Sequence, residues 1–462
     1  MKSERSIVLA SVEQPQLELP VALPRISTAE YERRRAALRE AVGTHWIAVY
    51  GDREHFANLA FLCGFDPRFE EALLLLAENR ALLAVGNEGA VYAELAAHGV
   101  EIVLCPSLSL MGQERRRSLT VPAFLRSAGI ADGDSVGVVG WKAFGPEEWE
   151  ASTPAIAAPA FLVDALRDAV GRAELVTDAT RALMSSAGGL RAANSCDQLA
   201  AFEWAAARAS ACVARITTSV RPGMTEHDAV AAMGYAGEPL SAHVMFASGP
   251  EVAVGLRSPT SRGVELGDAV TTAVGFWGGL CARAGLLAHG PDDLRAESDG
   301  YLEAMAIPYW RAVATWYETV RIGVSGGEIQ AAVEQALAGA FGPALNPGHL
   351  IHLDEWLDSP VYPGSTETIA SGMALQCDII PDATRPGWAA NCEDTVAIAD
   401  EALRAELAGR HPELWSRVLA RRRFVQERLG IALADEVLPL SSMPARFSPF
   451  WLSPGRALVY GE

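Results

Sequence analysis

The sequence lacks the long hydrophobic run that a membrane-spanning helix requires, since no stretch reaches about 18 apolar residues. Its opening segment, MKSERSIVLASVEQPQLELP, holds a short apolar patch broken at Glu13, too short for the core of a secretory signal. It also lacks CxxC spacing: seven cysteines stand apart at 63, 105, 196, 212, 281, 377 and 392. An odd, scattered set argues against a zinc knuckle or a disulfide frame and predicts reduced thiols in a cytoplasmic chain. Positive charge is scarce as well, with 38 Lys and Arg against 57 Asp and Glu and a net charge of −19. Such a surface repels phosphate backbones and anionic lipid, so a small-molecule partner is expected rather than nucleic acid or membrane. What the chain has is apolar material: 50% of its 462 residues are hydrophobic and 21% charged, which excludes a mostly disordered chain. The length suggests about two or three domains.

Short strand-like runs (WIAVYG, EALLLLA, RALLAVG, EIVLCPS, SVGVVGW) alternate with helical stretches such as AVYAELAAHG over about residues 25–165. That alternation predicts an α/β domain. A long Ala-rich helical segment is expected from about Ala179 to Ser219, packing across the next domain. An internal echo follows. Val220-Arg221-Pro222-Gly223-Met224-Thr225-Glu226 opens one helix, and Val320-Arg321-Ile322-Gly323-Val324-Ser325-Gly326-Gly327-Glu328 opens another. Each has a hydroxyl residue as N-cap with an acid close behind, which implies a domain built from two similar halves. Residues 401–428 read as one charged helix whose run Arg421-Arg422-Arg423 is expected to face solvent, and the tail 429–462 carries four prolines.

Eight segments resemble the creatinase/aminopeptidase P/methionine aminopeptidase family in order and spacing. They are GDREHFANLAFLCGFDPRFEEALLLL, LRAANSCDQLAAF, RPGMTEHD, FASGPEV, VELGDAV, NPGHLIHLDE, ASGMALQCDIIP and NCEDTVAI. The resemblance implies an α+β fold: a creatinase-type N-terminal α/β domain over 1–175, a pita-bread domain over 180–430 and an extension over 431–462. It also implies a homodimer.

The metal-binding members of that family hold two divalent ions with two Asp, one His and two Glu, because hard carboxylates bridge two cations and acidify the shared water. By the resemblance the first Asp position is Ala273 and the second Arg283, while the His position keeps His349. The first Glu position falls at or near Asp378, and the second keeps Glu393. A guanidinium at Arg283 would put a permanent cation about where a dication should sit, paired with Asp378 and Glu393. No dinuclear centre and no cofactor is therefore expected, the alternative being a single divalent ion on His349, Asp378 and Glu393. Arg257 takes the position of a family substrate-binding His and offers a second cation. His352 stands where the family has Gly, two positions before Asp354 and three before Glu355.

The residues then suggest a metal-free scheme: Asp378 or Glu393 orients His349, His349 moves protons, and Arg283 or Arg257 stabilises negative charge. Cys281 is the candidate nucleophile, and Arg257, His352 and Cys281 are the substrate-binding set. The expected activity is hydrolysis of an amide or amidine-type C–N bond in a small, carboxylate-bearing metabolite. The alternatives are a non-catalytic scaffold, or a mononuclear metallo-aminopeptidase or lyase.

Overall fold

The computed structural model describes residues 5–150, 155–252, 255–337, 339–382 and 385–461. Two compact units divide the chain: Ile26–Ala192, and Met1–Arg25 together with Ala193–Glu462. Strand β1 (Ile7–Ser11) belongs to the latter.

The Ile26–Ala192 unit begins with helix α1 (Thr28–Val42), capped by Ser27, whose hydroxyl accepts the Glu30 N–H at 3.2 Å. Then follow β2 (Trp46–Gly51), α2 (Ala57–Cys63), β3 (Ala72–Ala77), β4 (Arg80–Val85), α3 (Gly89–Ala96), β5 (Glu101–Leu104), α4 (Val121–Ala128), β6 (Val136–Val139), α5 (Ala160–Val170), β7 (Val176–Asp178) and α6 (Arg181–Met184). The strands form one mixed sheet in the order β5-β4-β3-β2-β6-β7. Strands β2, β3 and β4 pair antiparallel, and the outer pairs are parallel. The leucines of β3 run without polar alternation because both faces are buried, with Leu73 and Leu75 on the side of Trp46, Val136 and Leu166. This is the α/β domain the alternation predicts.

The other unit contains α7 (Cys196–Ser219), α8 (Glu226–Ala231), β8 (Met245–Ser248), β9 (Ala269–Phe276), β10 (Gly279–Leu286), α9 (Ile307–Thr319), α10 (Gly326–Leu337), β11 (His349–Leu350), β12 (Ala374–Cys377), β13 (Asn391–Ile398), α11 (Glu401–Arg410), α12 (Pro412–Arg423), β14 (Val437–Pro439) and β15 (Arg456–Tyr460). Its main sheet runs β11-β12-β13-β10-β9-β8 with β14 added to β13, every pair antiparallel. The sheet curls, and α7 packs across β9 and β10. Gly279 permits that approach, since a Cβ there would strike the Ala206 backbone. This is the α+β pita-bread architecture that the resemblance implies.

The internal echo is structural. Gly223 N–H donates to Val264 O at 2.8 Å and Val264 N–H to Met224 O at 2.8 Å. Gly323 N–H donates to Ile369 O at 2.8 Å and Ile369 N–H to Val324 O at 2.9 Å in the same pattern. Thr225 with Asp228, and Ser325 with Glu328, each form a reciprocal cap.

Five features differ from the sequence reading. Residues before Ile26 pack with the C-terminal unit because β1 pairs with β15, Val8 opposite Val459. Residues 431–462 are likewise part of that unit rather than appended to it. The helix expected from 179 breaks after Met184, where Gly188 takes φ 86°, and restarts at the Ser195 cap. The C-terminal helix divides at His411-Pro412, since Pro412 cannot donate to the preceding turn. Arg421 and Arg422 are buried, not solvated: Arg421 pairs with Glu203 at 2.7 Å, and Arg417 takes the other carboxylate oxygen at 2.7 Å.

Candidate active site

Three neighbouring strands bring the site together. In register, His349 of β11 lies opposite Gln376 of β12, Cys377 opposite Asp394 of β13, and Ala282 of β10 opposite Glu393. One residue past β12, the same register sets Asp378 against Glu393. His349, Asp378 and Glu393 are all buried, and one ligand atom from each lies within 4.8 Å of the others. Gly348 makes room for this approach: at φ 138°, a Cβ there would sit 2.9 Å from Trp316 Nε1 and 3.0 Å from Gln376 O.

His349 Nδ1 lies 3.2 Å from the Leu350 carbonyl, which assigns the ring proton to Nδ1 and turns Nε2 toward the acids. Nε2 is 3.2 Å from Glu355 Oε1 and 3.9 Å from Glu393 Oε1, close in charge but outside hydrogen-bond geometry. The ring stacks on Trp356, centroids 4.0 Å apart. Gln376 Nε2 donates to Glu393 Oε1 at 3.0 Å and to Leu280 O at 3.0 Å, fixing that carboxylate.

The charges are uncompensated. Burial pushes the Asp378 carboxyl up to about 7, Glu355 adding to the rise and His349 opposing it. Burial, with Asp378 and Glu355 nearby, raises Glu393 well above the ordinary carboxyl range. Burial opposes charge on His349, yet Glu355 and Asp378 outweigh it and the imidazole pKa rises. A lone pair at Nε2 facing carboxylates is repulsive unless a proton or a metal ion sits between them, and the raised pKa is the proton's share of that attraction. His349 Nε2 and Asp378 Oδ1 are buried with no hydrogen-bond partner. An imidazole nitrogen and two carboxylates are a fitting donor set for one borderline or hard divalent ion.

A second group, Cys196, Asp197 and His411, also lies within 4.8 Å, but Arg410 occupies Asp197 at 2.5 Å. These two clusters overturn the expectation that the chain has no place for a metal cofactor. The physical reason is the position of Arg283.

Along β10 successive side chains point to opposite faces. Ala282 and Ala284 line the cavity with Ala273 of β9, whereas Arg283 and Cys281 point into the core behind the sheet. Arg283 Nη2 donates to Asp394 Oδ1 at 3.0 Å and Oδ2 at 2.8 Å, and the Met443 and Arg446 carbonyls take further bonds. Its expected pairing with Asp378 and Glu393 does not occur. Cys281 Sγ lies 3.7 Å from Asp394 Oδ1, and burial pushes its thiol well above the ordinary value, the reverse of an activated nucleophile.

Arg257 is tied to Glu226 at 2.8 Å, and its neighbour Leu256 lines the cavity instead. His352 is buried edge-on against Phe202 of α7, 5.0 Å between centroids, and is not among the cavity-lining residues. Glu355 reaches His349 because the chain folds back: Leu350 N–H bonds Asp358 O at 2.8 Å and Leu357 N–H bonds Leu350 O at 2.9 Å. An extended reading of HLIHLDE gives no signal of that return, so its role at His349 was not legible. The cavity beside the three residues measures about 470 Å³.

Residues 200–400 match the family model "Metallopeptidase family M24". No curated protein matches the chain. Solved structures share the fold. Dipeptidase PepE from Mycobacterium ulcerans is 22% identical, covering 81% of this chain and 95% of its own, at a TM-score of 0.58. The prolidase from Pyrococcus horikoshii OT3 is 14% identical over 80% and 95%, at 0.60. The X-Pro aminopeptidase from Thermotoga maritima MSB8 is 15% identical over 80% and 95%, at 0.61. The C-terminal unit is therefore a pita-bread-type α+β domain, within which residues 200–400 are similar in sequence to metallopeptidase family M24.

Proposed function

We propose that the chain is an M24-type hydrolase that cleaves a C–N amide bond with one divalent ion held by His349, Asp378 and Glu393. The observation that carries this reading is the convergence of those three buried side chains, with His349 Nε2 and Asp378 Oδ1 left without hydrogen-bond partners. A divalent ion bound there supplies Lewis acidity and acidifies water.

The chain's own residues supply the rest. The Leu350 carbonyl and the Trp356 ring hold the imidazole plane, and Gln376 holds Glu393. Glu355 stands outside the three-residue set, 3.2 Å from His349 Nε2 and partly exposed. Its Oε1 holds the proton released by the attacking water and returns it to the leaving amine. A homodimer, implied by the family resemblance, is part of the same reading.

The test is metal content by mass spectrometry, before and after EDTA and after incubation with manganese, iron, cobalt and zinc, alongside hydrolysis of a peptide panel. The expected result is one tightly held ion per chain, absent from His349→Ala, with hydrolysis that EDTA abolishes. Hydrolysis indifferent to EDTA in a metal-free protein would overturn it.

A further inference from the structure

The charged side chains among the described residues that line the 470 Å³ cavity are Glu355, Asp378 and Glu393, all acids. The remaining wall is apolar or neutral, with Met245, Leu345, Trp356, Ile380 and Trp388 prominent. The two arginines that favoured an anionic substrate are committed elsewhere, Arg283 to Asp394 and Arg257 to Glu226. Arg385 lies over the Trp388 ring at 4.8 Å, but it is exposed and not among the lining residues. Three carboxylates against one divalent ion leave the site one negative charge in excess.

An anionic group brought into such a cavity loses its hydration and meets an excess of like charge, with no cationic side chain in the wall to pair with it. Two neutral side chains in the wall, Trp388 and Asn391, have a buried indole N–H and a buried carbonyl oxygen without protein partners. A donor and an acceptor of that kind match an uncharged amide.

We infer that this cavity takes a substrate whose leaving side is uncharged, an amide or arylamide, and excludes one carrying a free carboxylate next to the scissile bond. This rests on the reading that the cavity is the substrate site, and it separates the chain's specificity from that of a dipeptidase, whose substrate carries such a carboxylate.

Leucyl-proline and leucyl-prolinamide have nearly the same shape and differ by one negative charge. Their binding is measured by calorimetry to the full chain, once with manganese and once with EDTA. The expected result is at least about tenfold tighter binding of the amide. Leu345→Arg, at a wall residue 37% exposed and so tolerant of change, is expected to narrow or reverse that preference. Equal affinities, tighter binding of the acid, or no binding of either peptide in both arms would overturn the inference. A chain that holds no metal yet prefers the amide with EDTA would refute the metal reading alone.

Discussion

Arg283 and Asp394 form a buried ion pair, Nη2 to Oδ2 2.8 Å, on the face of the sheet opposite the cavity. The two side chains are 4% and 0% exposed, so neither has water to replace the other. Arg283→Ala leaves an unpaired buried carboxylate and is expected to destabilise the chain by about 3–5 kcal/mol. Urea unfolding measures the loss. Metal content of whatever folded protein remains is expected to stay at the wild-type level, because Arg283 does not face His349. A metal-free but stable Arg283→Ala protein would contradict this placement.

The three proposed ligands and Glu355 separate by their effect on metal affinity. His349→Ala, Asp378→Asn and Glu393→Gln each remove a donor atom and are expected to abolish tight binding. Glu355→Gln removes a neighbour of the ligands, not one of them, and is expected to weaken affinity by about 10–100-fold. Competition titration with a chromogenic chelator reads both. Full retention of metal in Asp378→Asn would exclude that residue from the set.

Metal binding is expected to strengthen with pH in a defined window. Burial holds the Asp378 carboxyl up at about 7 in the folded metal-free chain, above the roughly 3.9 of an unfolded Asp. A folded-state pKa raised in this way contributes stability that is complete below about 4 and is lost as pH rises through about 7. A bound divalent ion replaces the proton and restores the lost part. The rise in thermal midpoint on adding metal should therefore be small at pH 5.5 and grow to a plateau near pH 8. A metal-induced shift equal at both pH values would argue against Asp378 as a ligand.

Gly348 sets the height of the imidazole above the carboxylates. At φ 138° with Trp316 Nε1 and Gln376 O closing on a Cβ position, Gly348→Ala introduces both strain and a clash. The expected cost is about 1–3 kcal/mol in urea unfolding, with weaker metal binding because His349 shifts. Wild-type stability and affinity together would show that the turn relaxes freely.

The sequence was sufficient for the fold and for three residues of the proposed site. The alternation of short apolar runs determines the α/β unit, since only a sheet covered on both faces buries β3 without polar positions. The paired motifs at Gly223 and Gly323 determine the two-fold character of the second unit, because each demands the same left-handed glycine and capped helix. His349, Asp378 and Glu393 were legible by type and order. The face each side chain occupies was not. Whether residue 283 or its neighbours 282 and 284 point into the cavity depends on strand register, and a shift of one position exchanges core and cavity for the whole strand. That single choice turns a site closed by a guanidinium into one open to a dication. The fold-back of residues 355–358 onto Leu350 is likewise tertiary. Glu355 lies six residues from His349, and only the turn between them brings a third carboxylate to the imidazole.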